Sequence, residues 1–430
     1  MRKEQTSIPT SKVQRASKFI TTGAKVGGNY IKHYSKKLFD SDLSRDELDA
    51  NNAEDIYNSL SELKGSALKV AQMLSMDKNV LPTAYQQKFT MSQYSAPPLS
   101  YPLVVKTFKK YLDKSPDDIF DTFTMNAVNA ASIGQVHKAT LDGKTLAVKI
   151  QYPGVGDSIS SDLKMVRPIA ASMFKINTKE LEEYIGEVES KLLEETDYQL
   201  ELERSIAITN SCKSMEGIVF PSYYPELSSE RILVMDWIDG RHIKEWLETN
   251  PSQDVRNQIG QRLWDFYNYQ IHDLKLVHAD PHPGNFLITD KGELGIIDFG
   301  CVKEIPLDFY DQYFQLMKSD VLNPDFDLES LFMELGFLSK TDSEKEKVFF
   351  TGIFKEMIEL LGRPFRAKAF DFGDDSYFKL IFEVGDKLSK MKEIRNSKTA
   401  RGNRHGLYIN RTYFGLYNLL NELKAEIKTS

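Results

Sequence analysis

Two short segments in the second half of the chain carry side chains suited to phosphoryl transfer. They are HADPHPGNF at residues 278–286 and IIDFG at 296–300. Asp280 stands five positions before Asn285, and Asp298 follows Asn285 by thirteen. In phosphoryl-transfer loops with this spacing, the first Asp receives or orients the proton of the nucleophile, while the Asn and the later Asp hold Mg²⁺ on the phosphates. The pattern predicts Asp280 as a catalytic residue, and Asn285 and Asp298 as metal ligands.

A nucleotide site also needs a lysine and a loop over the phosphates. The strand-like segment LAVK at 146–149 matches the V-A-I-K pattern, so Lys149 is predicted to pair with the α and β phosphates. Upstream, the segment NAASIG at 129–134 stands where a glycine-rich loop is expected. Side chains there restrict the positive-φ conformations that let backbone amides close on a triphosphate. The residues of this loop predicted to contact nucleotide are Ala130, Ala131 and Ser132.

A further nucleotide contact is expected on the segment ILVMDWIDG, which reads as a strand ending in an Asp-Gly turn. Its residues Met235 and Ile238 fall where a kinase hinge offers backbone groups to adenine. His278 is expected to brace the catalytic loop, and His282 is left without a role. The two histidines have no third ligand at a suitable spacing, so a metal site built on them is not supported.

The elements that position these residues follow from periodicity and turn chemistry. Strand-like segments at 123–125, 134–139 and 145–150 surround an Asp-Gly turn at 142–143, which predicts a β-hairpin. Apolar residues spaced by three and four predict a long amphipathic helix from about Lys179 to Ser214. Residues 253–275 read as helical, and helical periodicity continues beyond residue 300. Alternating strands and helices of this kind predict a mixed α and β protein.

Composition limits the class of protein. A length of 430 residues predicts two to three domains, and 41% apolar with 27% charged residues is typical of a globular protein. No uninterrupted apolar span of about 18 residues occurs, so a transmembrane helix is not predicted. The cysteines, Cys212 and Cys301, lack a CxxC or CxxH neighbour. We therefore expect a reducing compartment and no structural zinc.

The charge is unevenly distributed along the chain. Residues 1–40 carry nine Lys or Arg against two acidic residues, which gives +7, whereas the whole chain carries −7 and the remaining 390 residues therefore −14. A basic segment with interleaved apolar residues can lie on an anionic membrane, reach nucleic acid, or be a solvated and frayed terminus. Because the body of the chain is acidic, a nucleic-acid partner is not expected.

A helical extension precedes the strand-rich part. Apolar residues between Ile56 and Leu74 alternate steps of four and three, which predicts a helix with one buried stripe. Lys69 and Gln72 are three positions apart and therefore share a face of this helix beside the stripe. Polar groups placed there can reach a partner domain. Prolines at 82, 97 and 98 mark the end of the helical stretch.

Taken together, these motifs resemble the UbiB (AarF) family of atypical, protein-kinase-like proteins. The marks are NAASIGQVH, LAVK, EETDYQLE, HADPHPGN and DFG. The resemblance implies an α+β, bilobal kinase-like fold with an N-terminal helical extension packed over the active site. It also implies that Glu201 pairs with Lys149, and that Glu195 and Asp197 form the family's ExD pair. On a straight helix these two would point about 200° apart, so a helix break or two separate partners is implied.

The family's N-terminal KxGQ motif corresponds to Lys69-Val70-Ala71-Gln72, with alanine in place of glycine. By this resemblance Lys69 and Gln72 are regulatory residues that act against Glu195 and Asp197, and the helix excludes protein substrates. An alanine is well tolerated in a helix, so we expect the lid to persist. The expected division of the chain is a basic tail at 1–45, the extension at 46–115, an N-lobe at 116–238 and a helical C-lobe at 239–430.

The resemblance implies an atypical kinase or ATPase that uses ATP and Mg²⁺ and supports isoprenoid quinone (ubiquinone-type) or related lipid biosynthesis. Expected partners are a nucleotide, a lipid or quinone precursor and a biosynthetic protein complex. We expect a cytoplasmic protein whose basic tail is the candidate contact with the inner face of the membrane. Two alternatives stay open: a small-molecule phosphotransferase of the aminoglycoside or choline kinase type, and a catalytically silent, lipid-binding pseudokinase scaffold.

Overall fold

The computed structural model of the protein describes residues 12–37, 45–63, 98–130, 133–173, 178–395 and 401–429. The chain folds as two compact units. The first comprises Met1–Ile206 and Ser222–Trp237, and the second comprises Ala207–Pro221 and Ile238–Ser430. The segment 207–221 therefore lies in the second unit, whereas the expected division at 238 placed it in the N-lobe.

The first unit contains a five-stranded sheet in which every strand pair is antiparallel. Its strands are β1 (Thr122–Phe123), β2 (Asn129–Ala130), β3 (Gly134–Leu141), β4 (Lys144–Gln151) and β6 (Ile232–Asp236). The order is β1-β3-β4-β6, and β2 also pairs with β3. The helices that begin in this unit are Lys12–Lys37, Arg45–Leu63, Tyr101–Leu112, Val155–Met173, Thr178–Glu195 and Tyr198–Cys212.

The predicted hairpin is confirmed in β3 and β4. Asp142 and Gly143 both have positive φ, at 49° and 75°, as the two central residues of a type I′ turn require. Side chains alternate between the faces of a strand, so Lys149 lies on the face opposite to Leu146, Val148 and Ile150. The apolar face packs against the helix Tyr101–Leu112 in a core that contains Val104, Phe108, Phe120, Ala139, Leu146, Val148, Ile150, Ile232 and Val234.

The long helix expected from about 179 to 214 is broken in the structure. One helix ends at Glu195, and the next begins at Tyr198. The side-chain oxygen Oδ1 of Asp197 accepts a hydrogen bond from the amide of Leu200 at 3.0 Å, as a residue that caps a helix N-terminus does. The break implied by the ExD spacing is therefore present, at Thr196 and Asp197.

The basic N-terminal segment is helical from Lys12 to Lys37. Arg15 is 2% exposed and forms a buried ion pair with Asp162 of the helix Val155–Met173, with a distance of 2.7 Å from Nε to Oδ1. Further along, the Asn29 amide donates to Asn52 and to Asp55 of the helix Arg45–Leu63 at 3.0 and 2.9 Å. The reading of this segment as a solvated, frayed terminus is therefore wrong for residues 12–37, because polar contacts fix the helix to its neighbours.

The second unit is mainly helical. Its helices are Ile243–Leu247, Gln253–Asn268, Leu307–Tyr313, Leu328–Glu334, Glu344–Leu361, Arg363–Arg366, Asp375–Lys390, Lys392–Arg395 and Arg404–Glu422, and a π-helical turn at Tyr269–Leu274 extends the second of these. Short 3₁₀ turns in the two units are Pro116–Asp118, Pro225–Leu227, Pro283–Asn285, Phe314–Met317 and Ser319–Leu322. The helices surround a core rich in aromatic side chains, such as Trp264, Phe266, Phe299, Phe332 and Tyr417.

Three small sheets accompany these helices. The strands are β5 (Ile218–Val219), β7 (Arg241–His242), β8 (Leu276–His278), β9 (Phe286–Ile288), β10 (Leu294–Ile296), β11 (Val302–Glu304), β12 (Ala369–Asp371) and β13 (Glu426–Lys428). One sheet has the order β5-β10-β9-β7, and β8 with β11 and β12 with β13 form two-stranded sheets. Among the described helices of the chain, none is both long enough and apolar enough to cross a bilayer.

Candidate functional site

In the first unit, Lys149 and Glu201 form an ion pair. The distance from Lys149 Nζ to Glu201 Oε1 is 2.6 Å, and the side chains are 21% and 3% exposed. The strand β4 presents the lysine, and the first turn of the helix Tyr198–Cys212 presents the glutamate. A partly buried pair holds the ammonium group in one place while one side stays open to solvent. The structure thus joins the two residues that the family resemblance paired.

Tyr198 lies beside this pair and was missed by the sequence analysis. Its ring centroid is 5.1 Å from Lys149 Nζ, a cation–π distance, and the side chain is 1% exposed. Tyr198 also leaves no room for a side chain at position 134. A Cβ added to Gly134 would lie 2.8 Å from the tyrosine hydroxyl and 2.6 Å from the Ile150 carbonyl oxygen. A signal was available, because Tyr198 precedes Glu201 by three positions and so shares its helix face.

The ExD residues have different environments. Glu195 is the last residue of its helix and is half-buried, whereas Asp197 is exposed and caps the next helix. Their expected partners, Lys69 and Gln72, lie outside the described residues. A regulatory contact among these four residues therefore stays a prediction.

The alanine-rich loop is described in part. Ala130 lies in β2 and pairs with Gln135 of β3. Ala131 and Ser132 lie outside the described residues. The loop thus follows a strand edge that belongs to the same sheet as Lys149, which is where a phosphate-covering loop is expected.

The two residues expected near adenine occupy different settings. Met235 is 7% exposed and pairs with Ala147 in the sheet, and it also bridges to Tyr223. The amide of Trp237 donates to the Thr145 carbonyl at 2.9 Å. Ladder pairing with Ala147 uses the backbone groups of Met235, so the structure does not support this residue as a hinge contact for adenine. Ile238 is the first residue after these ladder bonds, and its contact with adenine stays a prediction.

In the second unit, Asp280 and Asn285 belong to one compact loop after β8. The Asn285 side-chain amide donates to the carbonyl oxygen of Asp280 at 3.0 Å and lies 3.5 Å from its carboxylate oxygen Oδ2. The amide of His282 also donates to the Asp280 carbonyl, at 2.7 Å. His282 Nδ1 accepts from the Gly284 amide at 3.0 Å, so this histidine stabilises the turn that presents Asn285.

Asn285 and Asp298 are brought together by the hairpin of β9 and β10. Phe286 pairs with Ile296, and just beyond this pair the Ile297 amide donates to the Asn285 carbonyl at 3.2 Å. Asp298 follows immediately, and its Oδ1 accepts from the Gly300 amide at 2.8 Å. Antiparallel pairing therefore explains how residues thirteen positions apart reach the same end of one hairpin.

His278 braces the loop from below, as expected. Its side chain is fully buried, its ring Nδ1 lies 3.1 Å from the Tyr267 hydroxyl, and its amide donates to Gln270 Oε1 at 2.9 Å. Burial, followed by the negative charge of Asp280, raises the pKa of Tyr267 well above its usual value. Tyr267 therefore stays a neutral phenol at physiological pH. Tyr267 and Gln270 belong to no motif in the helical sequence, so the sequence analysis did not identify them as supports of the loop.

The donor set in this loop suits Mg²⁺ better than a softer metal. Asn285 and Asp298 supply only oxygen atoms, and Mg²⁺ is commonly held by one or two carboxylates together with phosphate and water oxygens. Within the described ranges, no group of three or more His, Cys, Asp or Glu side chains is arranged to hold a metal ion. A Mg²⁺ ion shared with nucleotide phosphates fits the oxygen donors of Asn285 and Asp298.

The fold and these two residue sets define a protein of the kinase-like class. Over residues 91–328, more than half of the chain, the sequence matches the ABC1 atypical kinase-like domain. The chain belongs to this family of atypical kinases, which includes the COQ8 and AarF proteins. The predicted family and the predicted α+β kinase-like fold are both confirmed.

Curated relatives cover most of this chain but extend beyond it. The abkA protein of Dictyostelium discoideum is 28% identical over 79% of this chain and 64% of its own length. An aarF domain-containing protein kinase of Arabidopsis thaliana is 30% identical over 86% of this chain and 52% of its own. The mitochondrial atypical kinase COQ8 of Saccharomyces cerevisiae is 28% identical over 87% of this chain and 75% of its own. The chain thus spans about half to two thirds of the first two relatives.

A solved structure is similar over nearly the full length. Rv3197 of Mycobacterium tuberculosis, determined in complex with erythromycin, gives a TM-score of 0.59 at 25% identity. The match covers 90% of this chain and 96% of that one.

Proposed function

We propose that the protein is an atypical kinase or ATPase that binds Mg-ATP. Lys149 binds the phosphates and is held by Glu201, Asn285 and Asp298 bind Mg²⁺, and Asp280 orients the acceptor hydroxyl or water. The observation that carries the proposal is the 2.6 Å ion pair between Lys149 and Glu201, because an ordered ammonium group beside a phosphate-covering loop is a requirement of kinase chemistry. The oxygen donors at the end of the β9 and β10 hairpin support the metal role.

We infer that the acceptor is not a protein. The alanine-rich loop carries side chains where glycines would let backbone amides close on the phosphates, and the KVAQ helix is expected to exclude protein substrates. Relatives named COQ8 support a role in isoprenoid quinone or related lipid biosynthesis. In a kinase reaction the proposed phosphate acceptor is therefore a lipid or a quinone precursor. In an ATPase cycle the acceptor is water.

Lys69 and Gln72 complete the proposal as regulatory residues that act against Glu195 and Asp197. Membrane contact is assigned to the helix Lys12–Lys37, where Lys25 and Lys32 are exposed and Ile20 is 72% exposed. A basic surface attracts anionic lipid headgroups. The protein would then work peripherally at a membrane, together with a biosynthetic complex.

The test is ATP hydrolysis by the full chain with Mg²⁺, with and without anionic liposomes and a quinone-precursor phenol. Thermal stabilisation by Mg-ATP is measured in parallel. The variant is Asp298→Asn, and the matched control is Asp290→Asn, because Asp290 lies in the β9–β10 turn and its side chain is 88% exposed. We expect the first variant to lose both Mg-dependent stabilisation and hydrolysis, while the control keeps both.

Three outcomes would overturn the proposal or a part of it. Full stabilisation of Asp298→Asn by Mg-ATP would remove Asp298 from the metal site. Intact nucleotide binding without hydrolysis, in protein that still sediments with liposomes, would favour the silent lipid-binding scaffold. Phosphate transfer to an aminoglycoside or choline would favour the small-molecule phosphotransferase.

A further inference from the structure

Two polar side chains of the QVH segment are buried on the core-facing side of β3. Gln135 and His137 are 1% and 0% exposed, and because they are two positions apart they lie on the same face of the strand. Neither residue has a part in the proposed chemistry. Buried polar groups are stable only when hydrogen-bonded, so their partners show what they do.

The two side chains form a chain of three hydrogen bonds between separate segments. His137 Nδ1 lies 2.7 Å from the carbonyl oxygen of Thr124. His137 Nε2 lies 2.8 Å from Gln135 Nε2, and Gln135 Oε1 accepts from the backbone amide of Leu99 at 2.6 Å. The chain thus joins the end of the Thr122–Phe123 strand to the residues that precede the helix Tyr101–Leu112.

The direction of each hydrogen bond follows from its ends. A carbonyl oxygen only accepts, so His137 Nδ1 carries the proton. A backbone amide only donates, so Gln135 turns its Oε1 to Leu99 and its NH₂ group to His137. His137 Nε2 must then accept, which requires a neutral ring. Both terminal groups are backbone atoms, so one arrangement of protons satisfies all three contacts.

We propose that Gln135 and His137 are positioning residues that attach the N-terminal extension, at Leu99, to the five-stranded sheet. Leu99 is 1% exposed, and the Ser100 carbonyl accepts from the Leu103 amide at 3.0 Å in the first turn of the following helix. Fixing Leu99 therefore fixes where this helix starts. Gln135 directly follows Gly134, the first residue of β3, so the attachment lies next to the alanine-rich loop. The proposal goes beyond the proposed activity and does not rest on it.

The surroundings of His137 favour the neutral ring. The Phe123 ring stacks on it with centroids 4.8 Å apart and 22° between planes. Val148 lies opposite on β4, and its same-face neighbours Leu146 and Ile150 are apolar. Lys138 and Lys149 lie on the other face by strand alternation. Burial lowers the pKa of His137, and the Thr124 carbonyl opposes this more weakly.

A protonated ring would break the attachment. Nε2 would then donate, and Gln135 would have to rotate its amide to offer Oε1 to His137. Its NH₂ group would face the Leu99 amide, so two donors would oppose each other. Acid is therefore expected to weaken the hydrogen bond that holds the Leu99 amide.

The experiment reads the tautomer and the Leu99 amide directly. Long-range ¹H–¹⁵N spectra of the full chain, labelled at histidine, are expected to show the Nδ1-protonated tautomer of His137 at neutral pH. Hydrogen exchange at Leu99 is compared in the unaltered chain, Gln135→Leu, and the exposed control Gln199→Glu. We expect exchange about tenfold faster in Gln135→Leu, as for the loss of one hydrogen bond, and no change in the control.

A third variant is expected to shift the pKa of His137 in the opposite direction. In Gln135→Glu the carboxylate can accept from both Leu99 and a protonated ring, so the pKa of His137 should rise above its usual value instead of falling below it. This inversion depends on the direct contact between positions 135 and 137. An Nε2-protonated ring in the unaltered chain, or a pKa in Gln135→Glu that stays low, would overturn the proposal. The tautomer measurement needs no variant and so does not depend on how the variants fold.

Discussion

Gly415 of the helix Arg404–Glu422 lies directly against the ring of Pro281, the residue that follows Asp280. A Cβ added at position 415 would overlap Cγ and Cβ of the proline. The helix can approach the loop this closely only because position 415 has no side chain. The helix Arg404–Glu422 therefore packs directly against the proposed catalytic loop.

We predict that Gly415→Ala displaces Pro281 and with it Asp280. Overpacking of this kind typically costs about 1–3 kcal/mol, and the loop is the more movable side of the contact. Denaturant unfolding measures the loss of stability, and the ATPase rate should fall more than stability alone explains. The matched control is Gly352→Ala, a helical glycine with open space around it, where alanine should stabilise by up to about 1 kcal/mol. Equal behaviour of the two variants would contradict the contact.

Glu201→Gln should weaken ATP binding with only a moderate loss of stability. The amide keeps the shape of the side chain but removes the charge that orders Lys149, and loss of a charge-assisted hydrogen bond costs about 1.5–3 kcal/mol. Because Lys149 is 21% exposed, water replaces part of the lost interaction, and we expect a loss at the lower end of this energy range. Isothermal titration with Mg-ATP measures the effect. Glu203→Gln is the control, because Glu203 is exposed on the same helix. Unchanged affinity in Glu201→Gln would separate this pair from nucleotide binding.

The ion pair of Arg15 with Asp162 should fix the basic helix. Removing one partner of a buried ion pair typically costs about 3–5 kcal/mol. We therefore expect Asp162→Ala to release the helix Lys12–Lys37, so that trypsin can cleave the released backbone at its lysines. The double variant Arg15→Met with Asp162→Leu removes both charges and should keep the helix in place. Equal trypsin sensitivity in the single and double variants would show that the charge pair is not what holds it.

Asp342 gives the second unit a defined response to acid. Arg401 donates to it from NH1 and NH2 at 2.8 and 2.9 Å, and this hydrogen bonding lowers the pKa of Asp342 below its usual 3.8. The folded state therefore binds this proton less readily than the unfolded state. The contribution is complete above pH 3.8 and is lost as pH falls through the lower, folded-state pKa. Unfolding midpoints of the unaltered chain and Asp342→Asn should differ at pH 6 and converge in strong acid.

Local signals predicted much of the first unit. The Asp-Gly turn specified the β3–β4 hairpin. The ExD spacing implied a helix break or two separate partners, and the structure shows a break at Thr196 and Asp197. Both features depend on residues close together in sequence. The spacing of Asp280, Asn285 and Asp298 was readable for the same reason, since one loop and one hairpin carry all three.

The missed features depend on distant residues. Arg15 is separated from Asp162 by 147 positions, and in the sequence it is one basic residue among nine. Gly415 is one glycine in an amphipathic helix until the fold brings Pro281 against it. Gln135 and His137 could be noticed only as part of the NAASIGQVH motif. Their outer partners are backbone atoms of Leu99 and Thr124, and every residue offers such atoms. Composition and periodicity carry no information about such pairings.

The hairpin between Asn285 and Asp298 tolerates a change of length in its turn but not in its strands. In antiparallel strands, partners are set by the register of pairing and not by the size of the turn. Residues inserted at the turn 289–293 would enlarge the gap between the two oxygen ligands along the chain yet leave them at the same end of the hairpin. A single deletion within Leu294–Ile296 would instead turn Asp298 to the opposite face. The tip of this hairpin is therefore a suitable point for a fluorescent or affinity tag that leaves the metal ligands in register.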